Sequence, residues 1–260
     1  MSGSEAVKFE MLGDHVALVT LNRPDQRNAI NGAVTAGLRD ILVETERRSD
    51  IWVVILTGSG DRVFCAGADL KTIAAGRAAD LMDPEFGFAG FVNAVRTKPW
   101  IAAVNGLAMA GGCELALACD MIVASDDAAF ALPEVKRGLI AAAGGLFRLP
   151  RRLPPAIAME MIATATPLPV ARAHAFGMVN RVVAKADLLA SARDLAGQIC
   201  ANAPIAVRES LAIARLAQDR DERQLDRLSQ EAQAHVMQTE DFREGPLAFI
   251  EKRPPVWSGR

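Results

Sequence analysis

The sequence predicts an α/β body followed by a helical C-terminal third. Short, apolar, β-branched runs at 51–56, 101–104 and 121–124 have the continuous hydrophobicity of strands buried on both faces. Segments of helical period lie between them, as in a sheet with covered faces. From about residue 155 the strand signal fades, and Ala-, Arg- and Gln-rich stretches favour helix instead.

Taken in order, Val7–Met11, a Gly13-Asp14 turn and Val16–Leu21 alternate as a β-hairpin. Val34, Leu38, Ile41 and Leu42 then fall on one face of a helix, with Asn31 as its N-cap. The segment 72–90 reads as a variable, mobile helix. Further helices are expected at 156–163, 169–176 (ended by Gly177), 186–201, 204–217 and 222–237. No low-complexity linker and no clean sequence repeat is visible.

Of 260 residues, 51% are hydrophobic and 23% charged, which excludes disorder over most of the chain. A net charge of -2 supplies no global field toward nucleic acid or an anionic membrane. Cys65, Cys113, Cys119 and Cys200 form no CxxC pair and are expected to be small buried side chains rather than disulfides. The first residues lack a signal-peptide pattern and no stretch has the apolar length of a membrane span, so a cytoplasmic location is expected.

Two strand-to-turn segments carry chemistry. Phe64-Cys65-Ala66-Gly67-Ala68 is built of small residues that let a ligand approach backbone N–H groups. In Val104–Ala116 numbering, 104–116 runs from a strand through a small-residue turn, and Gly111-Gly112 open an apolar helix with outward N–H groups. Two such donors converging on one oxygen make an oxyanion hole, although glycines in such turns also serve tight turning and packing alone. P-loop, dinucleotide-fold and nucleophile-elbow patterns are absent from the sequence. His15, His174 and His235 are too scattered to support a triad, and no ligand spacing supports a metal. Glu114 falls in the first turn of the apolar helix, where the helix dipole alone would explain a carboxylate. Glu134 follows Pro133, where a solvated loop residue is the plain alternative. As a pair beside an oxyanion hole they suit general acid–base work.

The chain resembles the enoyl-CoA hydratase/isomerase (crotonase) family through LNRPDQRNAI, VVILTGSGDRVFCAGADL, AAVNGLAMAGGCELALACDMIVAS, ALPEVKRGL and EGPLAFIEKR, which recur in order over nearly the whole length. The resemblance implies a spiral of β-β-α repeats over residues 1–200 and a helical region at 201–260 used in trimerisation, giving a homotrimer or dimer of trimers. It implies an acyl-CoA thioester whose oxygen lies between the N–H groups of Ala68 and Gly111. CoA-facing positions carried over are Gln26, Arg27, Ala66, Asp69, Leu70, Lys71, Phe249 and Lys252, and the 72–90 segment is expected to line the acyl pocket without giving a clear substrate signature. Keeping both Glu114 and Glu134 implies reversible syn hydration of a 2-enoyl-CoA to a 3-hydroxyacyl-CoA. No metal or other cofactor is implied, because CoA is part of the substrate.

The common Gly-Leu-Ile-Pro-Gly-Ala-Gly-Gly stretch is replaced here by Gly138-Leu139-Ile140-Ala141-Ala142-Ala143-Gly144-Gly145, which alters the loop behind Glu134. PEVKRGL and RLPRRLPP look like the carnitinyl-CoA dehydratase branch, so that dehydration is one alternative and Δ3,Δ2-enoyl-CoA isomerisation another. Turnover-free acyl-CoA binding or RNA binding is a third class. The densest basic cluster, Arg148, Arg151 and Arg152, reads better as a solvated or subunit-facing patch than as an RNA surface.

Overall fold

The computed structural model describes residues 5–13 and 15–260. Asp14, and with it half of the expected Gly13-Asp14 turn, lies outside the described residues, as do the first four positions. In chain order the strands are β1 (Val7–Met11), β2 (Val16–Leu21), β3 (Val53–Gly58), β4 (Val63–Cys65), β5 (Met82–Asp83), β6 (Gly87–Phe88), β7 (Trp100–Val104), β8 (Leu107–Met109), β9 (Met121–Ser125), β10 (Ala129–Ala131), β11 (Leu168–Pro169) and β12 (Arg181–Val183). The helices are α1 (Gly32–Arg47), α2 (Leu70–Ala74), α3 (Gly111–Ala118), α4 (Gly145–Arg152), α5 (Pro155–Thr164), α6 (Val170–Ala175), α7 (Leu188–Cys200), α8 (Pro204–Leu216), α9 (Glu222–Val236) and α10 (Glu240–Glu251).

Two sheets hold ten of these strands, and β5 and β6 pair apart as a hairpin. One runs β1-β2-β3-β7-β9-β12 and the other β11-β10-β8-β4. Each winding of the chain gives its first strand to the first sheet and its second strand to the other. Thus β3, β7 and β9 are successive parallel neighbours in one layer, and β4, β8 and β10 in the second. The repeat is therefore spatial, and it is carried by strand pairing rather than by matching residues.

The residue types follow from this placement. Strands β3 and β7 are buried along their whole length, which explains their unbroken apolar character. One core lies between the sheets and around α1 and α3, with Trp100, Phe64, Phe91 and Phe130 among its largest members. A second forms where α7 lays Leu188, Ala192 and Ala196 against Ile55, Ile101 and Val123. Helix α1 starts where expected, with the Asn31 side chain accepting the Val34 N–H at 3.0 Å.

The 72–90 segment departs from expectation. After the short α2 it makes a 3-10 turn at Ala78–Leu81 and then the hairpin β5–β6. The Asp83 carboxylate accepts the N–H groups of Glu85 and Phe86, and this local turn competes successfully with helix. Short strands β11 and β12 also break the helical C-terminal third.

Asn28 ties the 23–30 segment to the β3–β4 connection. Its amide nitrogen donates to the carbonyls of Ser59 and Val63, both at 2.9 Å, and its oxygen accepts the Arg23 N–H at 3.0 Å. Buried and carrying a left-handed φ of 53°, it sits where Asn is tolerated best among residues with a side chain. Asn28→Ala is expected to lower the stability by about 2–3 kcal/mol, because buried partners lose their bonds. Urea unfolding checks this, with a lower midpoint and an unchanged slope.

Candidate active site

Parallel pairing of β4, β8 and β10 brings three strand ends to one edge. Cys65 pairs with Ala108, and Ala131 with Met109, so the segments that follow emerge side by side. Ala68 follows β4, Gly111 and Glu114 follow β8, and Glu134 follows β10. The carboxyl ends of strands in such a sheet are where ligands bind in open α/β folds.

The first two segments touch through backbone. A methyl group on Gly112 would lie 2.1 Å from the Cys65 carbonyl oxygen, so nothing larger than hydrogen fits. A methyl group on Gly67 (φ 86°) would lie 2.8 Å from the Gly111 nitrogen. Ala68 makes a parallel bridge with Ile30, in which the Ile30 N–H bonds Gly67 and the Ile30 carbonyl accepts from Asp69. That pattern turns the Ala68 N–H away from Ile30, and it has no partner among the described residues. Gly111 begins α3, so its N–H lies outside the intrahelical ladder and is likewise unpaired among the described residues. Ala110 holds the intervening peptide at φ 51° and ψ -128°, an unfavourable conformation fixed by its N–H bond to Ala131 at 2.9 Å.

Glu114, one helical turn on, is 3% exposed. Its Oε1 accepts the Gly145 N–H at 2.8 Å from the start of α4. Burial pushes its pKa from 4.5 up to about 7, against the Gly145 bond, and the nearby Glu134 raises it further. Glu134 begins a 3-10 turn, Glu134–Arg137, and its Oε2 is buried without a hydrogen-bond partner. Burial raises its pKa as well, while the charge of Arg137 pulls the other way.

A cavity of about 950 Å³ joins these groups. Gln26, Arg27, Ala66, Ala68, Asp69, Leu70, Lys71, Gly111, Glu114 and Glu134 all line it. The Asp69 carboxylate is already engaged: it pairs with Arg23 at 3.0 Å and accepts the Lys71 N–H at 3.0 Å. Phe249 and Lys252 do not line the cavity. They sit at the end of α10, with Phe249 84% exposed. The 72–90 segment reaches this cavity through Met82 and Phe88, as a hairpin rather than the helix expected, and Arg137, which was not singled out in the sequence, lines it too.

Of the basic cluster, Arg151 is exposed, whereas Arg148 and Arg152 are half-buried and bonded to backbone. Arg148 donates to the carbonyls of Ala143 and Val92, and Arg152 to those of Leu117 and Cys119 at the end of α3. Arg151 pairs with Asp219 at 2.6 Å. Carbonyls at a helix end lack intrahelical donors, and guanidinium groups supply them. Cys65, Cys113 and Cys119 are buried free thiols, and Cys200 is partly exposed. Among the described residues, no group of three His, Cys, Asp or Glu is placed to hold a metal.

A carboxyl whose pKa is raised by folding binds its proton more tightly in the native state. The stability that Glu114 gives is therefore full below about pH 4.5 and lost as pH rises through about 7. Relative to Glu114→Gln, the wild-type chain is expected to lose on the order of 2–3 kcal/mol across that window. Chemical denaturation at a series of pH values checks this.

The family model for enoyl-CoA hydratase/isomerase matches residues 12–260. A carnitinyl-CoA dehydratase from Proteus mirabilis is 42% identical over 247 residues, covering 93% of this chain and 94% of that protein. The crystal structure of an enoyl-CoA hydratase from Mycobacterium tuberculosis H37Rv superposes with a TM-score of 0.94 at 42% identity, covering 99% of this chain and 100% of that one. A carnitinyl-CoA hydratase from Mycobacterium avium is 46% identical, with a TM-score of 0.78 over 99% of this chain and 100% of that one. With its β-β-α spiral and the model match over almost its whole length, the chain belongs to the enoyl-CoA hydratase/isomerase family.

Proposed function

We propose that the chain is an acyl-CoA hydro-lyase that reversibly adds water, in syn fashion, to a 2-enoyl-CoA to give a 3-hydroxyacyl-CoA. The observation that carries this reading is that two carboxyl groups, Glu114 buried and Glu134 half-buried, share one cavity with two N–H groups unpaired among the described residues. Relatives named enoyl-CoA hydratase and carnitinyl-CoA dehydratase support the reaction class.

In this mechanism the thioester oxygen accepts from the N–H groups of Ala68 and Gly111. Charge moves onto that oxygen as water attacks Cβ, and the two donors, one after β4 and one at the α3 terminus, hold it. Glu114 takes the proton that water gives up as its oxygen bonds to Cβ. Glu134 gives a proton to Cα, so the C=C π bond is replaced by C–O and C–H bonds on one face. The two carboxyls act as one coupled pair, and the proton gained by one restores that lost by the other through exchange with water. Ala66, Gln26, Arg27, Leu70 and Lys71 hold the CoA, and Asp69 shapes that loop through its pairing with Arg23. No metal or redox group is needed, since no electrons are exchanged with a second reactant. We propose a homotrimer or dimer of trimers, in which the exposed Phe249 and Lys252 reach CoA in the cavity of a neighbouring copy. No helix among the described residues is long and apolar enough to cross a membrane; a cytoplasmic site is part of the proposal.

The second reading, carnitinyl-type dehydration, rests on the 42% identity to proteins bearing that name. It uses the same groups on a polar acyl chain. An isomerase would need one carboxyl alone, and the retained pair favours hydration.

Purified protein added to crotonyl-CoA is expected to lower the ultraviolet absorbance of the conjugated thioester rapidly toward its hydration equilibrium. Glu114→Gln and Glu134→Gln should each slow this by about 100-fold or more, the usual weight of a general acid or base. Unchanged rates in both variants would remove the paired-carboxyl mechanism.

A further inference from the structure

On the proposed hydro-lyase reading, the charges around the cavity bear on which acyl group it takes. Carboxyl and guanidinium groups line it in two regions. On the flank formed by the 23–30 and 66–71 segments, Arg23 is tied to Asp69, and Asp25, Arg27 and Lys71 lie close in sequence to that pair. On the flank beyond Gly111, the lining acids are Glu114 and Glu134 themselves, and the cation is Arg137.

Arg137 is three residues after Glu134 on one 3-10 turn. Side chains at i and i+3 of such a turn eclipse, so the guanidinium lies on the same side as the Glu134 carboxyl. It is exposed, and among the described residues it has no ion pair or hydrogen bond. The neighbouring lining is aliphatic: Leu139 and Ile140 follow on the same loop, and Met82 faces the space from β5. These three are 52%, 66% and 52% exposed, apolar surface left open to an acyl chain. A quaternary ammonium is typically held by several aromatic faces. The cavity offers one aromatic ring, that of Phe88, which stacks close over Gly111.

We propose that Arg137 sets the charge selectivity of the acyl site, rejecting an acyl chain that ends in a trimethylammonium group and accepting one that is uncharged or ends in a carboxylate. The chain would thus differ in substrate from relatives named for carnitinyl-CoA, although it shares their reaction.

Three thioesters with one enoyl core test this: 2-butenoyl-CoA, 4-carboxy-2-butenoyl-CoA and 4-trimethylammonio-2-butenoyl-CoA. The readout is the ratio of kcat/KM values between the carboxy and trimethylammonio substrates, in wild type, Arg137→Gln and Arg137→Glu. Wild type is expected to favour the carboxy substrate by about tenfold or more, the scale of one partly screened charge pair. Arg137→Gln should reduce the ratio and Arg137→Glu should reverse it, both effects shrinking as salt rises. A wild-type preference for the trimethylammonio substrate, or a ratio indifferent to both substitutions, overturns the assignment. If none of the three is hydrated, the hydro-lyase reading fails separately. The Kd values of the three saturated thioesters, measured in the same variants, then decide the charge selectivity by the same ratio.

Discussion

The approach of two backbones, Cys65–Ala68 and Ala110–Gly112, constrains everything around the site. Packing this close requires a hydrogen at Gly112 and a left-handed turn at Gly67. Both are delivered by the parallel pairing of β4 with β8, which leaves no freedom in how the two turns face each other. The result is a pair of N–H groups freed for different reasons, one by a single parallel bridge and one by a helix start. Neither donor needs a side chain, so the position of both is fixed by the fold itself. The strain at Ala110, about 1–3 kcal/mol for such a conformation, is held in place by its bond to β10.

Around that point the protein places acids where burial favours the neutral form. The Gly145 N–H from α4 opposes that upward pKa shift at Glu114, and a backbone N–H and the Arg137 charge oppose it at Glu134. Two carboxyls with related but unequal environments can divide a proton between them, which is what addition of water across a double bond demands. The half-buried arginines belong to the same scaffold. Arg152 and Arg96 satisfy the last carbonyls of α3, the helix whose first N–H faces the cavity. A short helix whose last carbonyls are satisfied can be packed rigidly at that end.

Much of this was legible in the sequence because it rests on local chemistry. Asn31 capped α1 as its side chain predicts, and the β-branched runs at β3, β7 and β9 became buried parallel strands. The small residues at 65–68 and 110–112 marked the close approach. The hairpin at β5–β6 was hidden, since its turn depends on Asp83 accepting two N–H groups rather than on any periodicity. The spatial repeat was hidden too, because each winding fills the same sheet positions with different residues. Arg148 and Arg152 looked like surface charges, and only tertiary contacts reveal the carbonyls they serve. Arg137 gave no signal at all, for a lone arginine after a glutamate is indistinguishable from a solvated turn. Phe249 and Lys252 were read through family likeness, and within one chain they stand away from the cavity.

The central claim is that the Ala68 and Gly111 N–H groups polarise a thioester carbonyl lying beside the paired carboxyls. The carbonyl stretch of an enoyl-CoA labelled with ¹³C at that carbon measures this directly, on a Glu114→Gln/Glu134→Gln double variant that holds the ligand without turnover. The account predicts a stretch shifted well below its frequency in water, as two charge-focused donors draw electrons onto oxygen. A frequency equal to that in water, with the ligand demonstrably bound, would contradict it.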